Sequence, residues 1–222
     1  MPKTIYYIET LPLIFRRIDS GEIHIPNFQR PFVWGKKQMI QLFDSIYNGL
    51  PIGNLIFWRS HEKNLTFSQT DFTTQSRTEE QPYYMYVIDG TQRLKVLYNC
   101  LHRRENDKDS QFAIGFDLEN ETFMHLEKAN ISETVIVLSS VFSHEDILNS
   151  QIVLSSHNAA QFLIKRLNKL ISTFVEYQIP IMVIDEVTRN ELITVFQRIN
   201  TTGVTLSKEE ILRARQEDNK LI

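Results

Sequence analysis

The chain has 222 residues, with 24 Lys or Arg against 27 Asp or Glu, 42% apolar and 23% charged. Its 14 Phe, 8 Tyr and 2 Trp supply too much apolar surface for a disordered chain. No apolar run approaches the roughly 20 residues of a bilayer helix, so a membrane span is excluded. Cys100 stands alone, which rules out an internal disulfide and a multi-cysteine zinc site and fits a reducing, cytoplasmic setting. Glu9 and the lack of a small-residue cleavage site speak against a signal peptide. Residues 1–60 hold 7 basic and 4 acidic side chains, whereas 111–222 hold 10 and 15. An anion site must therefore use a few placed arginines, because no general basic field exists.

No repeat or Pro/Gly-rich linker divides the sequence, and a single domain over 1–222 is expected. Leu11, Ile14, Phe15 and Ile18 predict a helix over Ile8–Ile18 with Pro12 in its first turn. Gly21–Ile25 reads as a short strand or turn. Lys36–Asn48 has one broad apolar face, then Gly49 as C-cap and Pro51 as a stop. Leu55–Trp58 reads as a buried strand and His61–Gln81 as a polar loop. Tyr83–Ile88 is strand-like and ends in Asp89-Gly90, after which Thr91–Arg103 has helical spacing. Phe112–Leu118 and Thr122–Leu126 suggest a hairpin, and Glu133–Leu138 another strand. A long helix follows, marked by Phe162 to Phe174 and ending near Tyr177, then a strand over Ile179–Ile184 and a helix over Glu191–Ile199. Thr201–Thr205 is a predicted turn, and Ser207 to Glu210 a capping box opening a last helix. Short strands mixed with helices, without regular βαβ alternation, indicate an α+β fold.

Three segments carry polar residues that a bland fold does not require. In Ile25-Pro-Asn-Phe-Gln-Arg-Pro-Phe-Val-Trp34, two prolines stiffen a loop that presents Gln29 and Arg30. Phe28, Phe32 and Trp34 either pack beneath it or stack on a flat ligand. In Val87-Ile-Asp-Gly-Thr-Gln-Arg-Leu94, an apolar strand delivers Asp89 and Gly90 to a helix start, whose open N–H groups attract anions. Arg93 is one turn in, suited to fork onto phosphate oxygens. Asp89 is a candidate Mg²⁺ ligand or a group that orients a water, with simple N-capping as the alternative. In Phe196-Gln-Arg-Ile-Asn-Thr-Thr-Gly203, Arg198, Asn200 and Thr201 gather at a helix C-terminus. The remaining histidines (His61, His102, His125, His144, His157) have no metal-ligand spacing. Cys100 reads as a core residue.

These segments resemble the N-terminal domain of GmrSD-type modification-dependent restriction proteins, a family with a ParB/sulfiredoxin-like core. Pro26, Phe28, Gln29, Arg30, Phe32 and Trp34 match one block. Leu42, Asp44, Ser45, Ile46, Gly49, Pro51, Ile52 and Gly53 match a second. Asp89, Gly90, Gln92 and Arg93 match the family's Asp-Gly-Gln-Gln-Arg signature, with Thr91 in place of its first Gln. Phe196, Arg198, Ile199, Asn200, Thr201, Gly203 and Leu206 match the last.

The resemblance implies a mixed-sheet core with flanking helices, nucleoside-triphosphate binding and Mg²⁺-dependent hydrolysis, linked to sensing modified foreign DNA. In that reading Asp89, Gln92 and Arg93 form the catalytic group. Gln29, Arg30, Gly90, Thr91, Arg198, Asn200 and Thr201 bind nucleotide, so the three segments are expected to converge on one pocket. Fuller relatives add a C-terminal HNH-type nuclease domain; no such segment is expected within this chain, and a nuclease acting in trans is one implied partner. The alternative is a non-catalytic DNA- or partner-binding module of the same fold.

Overall fold

A computed structural model describes residues 3–26, 29–61, 82–102, 111–126, 132–187 and 189–201. In chain order its elements are β1 (Lys3–Thr10), α1 (Leu11–Asp19), β2 (Ile23–His24), α2 (Lys36–Tyr47), β3 (Leu55–Ser60), β4 (Tyr84–Asp89) and α3 (Thr91–Leu101). There follow β5 (Ile114–Asp117), β6 (Thr122–His125), β7 (Val135–Val137), a 3-10 turn at Leu138–Ser140, α4 (His144–Ser155), α5 (Ala160–Glu176), β8 (Gln178–Asp185) and α6 (Arg189–Thr201). A five-stranded mixed sheet has the order β1-β8-β3-β4-β2, and a three-stranded antiparallel sheet the order β6-β5-β7. The α+β class expected from the sequence holds.

Strands β3, β4 and β8 are apolar at nearly every position because both faces of the large sheet are covered. Successive strand side chains point to opposite faces. Thus Leu55, Phe57, Met85, Val87, Ile181 and Val183 join the larger core, while Ile56, Trp58, Tyr84, Tyr86, Ile88 and Ile184 join a smaller one. Helices α1, α2, α3 and α5 and the small sheet complete the larger core through residues such as Phe15, Phe43, Leu97, Phe116 and Phe174. The smaller core is closed by α6 through Leu192 and Phe196.

The N-terminal helix begins later than its periodicity predicts. Ile8 pairs with Pro180 and Thr10 with Gln178 in an antiparallel ladder, so β1 runs to Thr10 and the helix opens at Leu11. Ile5 and Tyr7 pack on the larger core while Tyr6, on the opposite face, is 72% exposed. Apolar residues on both faces hide the alternation by which a strand is read. Helix α4 was not expected at all. Leu154 is its fully buried apolar residue, whereas Leu148 and Ile152 are 59% and 67% exposed, so no apolar face announces it. Its legible signal was the cap: Ser143 accepts the Asp146 N–H at 3.3 Å. The predicted loop after His61 lies outside the described residues, as do Arg103, the turn beyond Thr201 and the helix from Ser207.

Phe43 is fully buried, with ring centroids 5.9 Å from both Phe123 and Phe174. Phe43→Ala is expected to lower unfolding free energy by about 3–5 kcal/mol in urea titrations. Tyr6→Thr, on the exposed face of β1, should change it by less than about 0.5 kcal/mol.

Candidate functional site

Strand β4 ends at Asp89, and the chain enters α3 through Gly90, whose φ of +90° lies in the left-handed region. A side chain there is doubly disfavoured, since a Cβ would stand 2.5 Å from Leu55 Cδ2 and 3.3 Å from the Asn54 carbonyl. Gly90 is itself the N-cap of α3, and no side chain caps the helix. Asp89 is therefore not the cap, which removes the simplest account of that residue. Its carboxylate instead accepts from Arg93 Nη2 at 3.3 Å, one helical turn away.

The Pro-rich loop is tied to this corner by two amides. Strand β2 pairs with β4 only at Met85 and Tyr86. Beyond it, Gln29 Nε2 donates to the carbonyls of Val87 at 3.0 Å and Ile88 at 3.2 Å. From the helix side, Gln92 Oε1 accepts the Val33 N–H at 2.9 Å and Gln92 Nε2 donates to the Pro31 carbonyl at 3.2 Å. The buried Gln92 amide thus spends its oxygen and one of its protons on loop geometry.

Arg93 is held from a third direction. Its side chain is 17% exposed, and Nη1 donates to the Ile52 carbonyl. Gly53, with φ +86°, leaves room for the guanidinium: a Cβ there would stand 2.5 Å from Nη1. Ile52 and Gly53 together thus seat Arg93. Burial lowers the proton affinity of this guanidinium, opposed by attraction to Asp89.

Gln29, Arg30, Trp34, Ile88, Asp89, Gly90, Thr91, Gln92 and Arg93 line one cleft of about 120 Å³. Arg30 is exposed and has no ion-pair or hydrogen-bond partner among the described residues. Thr91 is buried, and its hydroxyl lacks a hydrogen-bond partner among the described residues. Asp89 is 42% exposed and is the sole carboxylate among the described residues lining the cleft. No group of three or more His, Cys, Asp or Glu able to hold a metal occurs among the described residues.

Two of the three sequence segments thus converge. Of the third, Arg198 is exposed on the last turn of α6 and is not among the described residues that line the cleft. Helix α6 is committed to the smaller core, where Phe196 packs in the same cluster as the cleft residue Ile88. The side chains of Asn200 and Thr201 lie outside the described set. Ile52 and Gly53 were not singled out as site residues, whereas Trp34, read as either packing or ligand-stacking, lines the cleft. For Gly53, the signal available was its spacing after Gly49 and Pro51.

The family model described as GmrSD restriction endonuclease, N-terminal domain, matches residues 11–216. The chain belongs to this family. An uncharacterized protein of Methanocaldococcus jannaschii is 21% identical over 234 aligned positions, covering 91% of this chain and 40% of the relative. The chain therefore spans well under two thirds of the length of that curated relative. No helix among its described residues is long and apolar enough to cross a membrane.

Gly53→Ala is expected to cost about 1–3 kcal/mol through its left-handed φ, plus a steric part that Arg93→Ala relieves. A double-mutant cycle in urea should then show less than additive loss. Thr91→Val keeps the side-chain shape and deletes a buried, unsatisfied hydroxyl. It should raise stability by about 1 kcal/mol, read from the same titrations.

Proposed function

We propose that the cleft binds the phosphates of a nucleoside triphosphate and hydrolyses it within a restriction system. The observation that carries this reading is the meeting of Arg30, Arg93 and the uncapped start of α3 in one recess. Helix-start N–H groups and a macrodipole favour an anion there. The Arg93 guanidinium contacts Asp89 through Nη2 and Ile52 through Nη1, and its five N–H donors suit it to a phosphate oxygen as well. Arg30, exposed and without a partner among the described residues, adds a second cation to the cleft.

Asp89 would hold Mg²⁺ together with phosphate oxygens of the nucleotide, where the ion would supply neutralisation of the phosphate charge. One carboxylate plus substrate oxygens is a donor set that Mg²⁺ accepts. In this scheme Arg93 stabilises phosphoryl charge, and Asp89 exchanges part of its contact with Arg93 for the ligand complex. Gln92 acts as a positioning residue, since its amide holds Pro31 and Val33. Sensing of modified DNA and action through a nuclease domain, in cis or in trans, belong to the same proposal and rest on the family alone.

A second reading, nucleotide binding without turnover, is favoured by one observation. Asp89 and Gln92, the groups best suited to orient an attacking water, are both engaged in the protein. Phosphate release and calorimetric binding with Mg²⁺ and a panel of nucleoside triphosphates separate the two. Arg30→Ala and Arg93→Ala should each weaken binding about tenfold or more, and Asp89→Asn should abolish release with binding retained. Binding without release by the wild type selects the second reading, and absence of both sinks the proposal.

A further inference from the structure

Resting on the nucleotide reading above, we infer that Trp34 is the platform on which the nucleobase stacks, so that the site requires a base yet tolerates different ones. The cleft holds about 120 Å³, whereas sites that enclose drug-sized ligands run to roughly 300–1,000 Å³. A recess of this size takes phosphate groups and leaves the nucleoside at the rim. Trp34 is the sole aromatic side chain among the described lining residues. It is half-buried, with part of its surface packed on the larger core.

The two tryptophans of the chain differ in a telling way. Trp58 is buried, donates its indole N–H to the Val187 carbonyl and lies 5.3 Å from the Tyr86 ring. Among the described residues, Trp34 has neither an acceptor for its indole N–H nor an aromatic neighbour. A buried indole normally finds such partners. An indole that lines a polar cleft without them offers a face and a donor to something else.

The loop carrying Trp34 is also fixed in advance. Gln29 holds its start against Val87 and Ile88, and Gln92 holds Pro31 and Val33, the residue just before the indole. A ring already held in place loses little freedom when a base docks. Every base presents a π-face, so stacking supplies affinity without reading the hydrogen-bonding edge.

The test compares ATP with inorganic tripolyphosphate, both with Mg²⁺, by calorimetry on the whole chain. Wild type should bind ATP about tenfold or more tighter than tripolyphosphate, with GTP, CTP and UTP within about tenfold of ATP. Trp34→Leu should bring that ratio close to one while leaving tripolyphosphate affinity unchanged, and Trp34→Phe should keep most of it. Thermal unfolding of both variants verifies folding, and the Phe variant keeps the test valid should the Leu variant unfold. ATP should quench wild-type tryptophan fluorescence but not that of Trp34→Phe, where Trp58 alone emits. Equal wild-type affinity for ATP and tripolyphosphate, or an ATP preference that survives in Trp34→Leu, overturns the stacking role and leaves the phosphate site standing. Failure of wild type to bind either compound overturns both.

Discussion

Strand β4 is buried on both faces and runs straight into a left-handed turn at Gly90, so its last side chain and the first turn of α3 have a fixed relation to the core. Leu55 and the Asn54 carbonyl crowd that turn and leave space for a hydrogen where any other residue has a carbon. The larger core sets where β4 ends, Gly90 sets how the chain turns, and the helix start then opens on the cleft. Displace the turn and Asp89, Thr91, Gln92 and Arg93 move with it.

Much of the fold was legible because burial leaves a periodic trace. Helices α2 and α5 bury one stripe each, and β3, β4 and β8 are apolar runs of strand length. What was hidden had no such trace. Strand β1 owes its identity to a ladder with β8, more than 160 residues away, and it shows apolar side chains to both faces. Helix α4 turns more apolar surface outward than inward, so only its Ser143 cap distinguished it.

The site was legible in part for a different reason. Polar residues at a strand-to-helix corner stand out against an apolar strand, which marked Asp89 to Arg93. Sequence cannot say whether an amide serves a ligand or the backbone, and both Gln29 and Gln92 proved to hold backbone groups. Nor can it reveal that two glycines make room for a guanidinium, because the Gly53–Arg93 approach spans 40 positions of chain. Arg198 stood out by the same criterion of polar clustering. It does not line the cleft because α6 docks through Leu192 and Phe196 on the smaller core.

The fastening of the loop by side-chain amides has a consequence for how the cleft responds to its surroundings. An amide has no ionisable proton, unlike a carboxylate or an imidazole. The grip of Gln29 and Gln92 is therefore indifferent to acidification, and it is far less sensitive to salt than an ion pair would be. Changes in ionic strength that alter occupancy of the cleft would act through its charged groups or the ligand itself, with this fastening of the loop left in place.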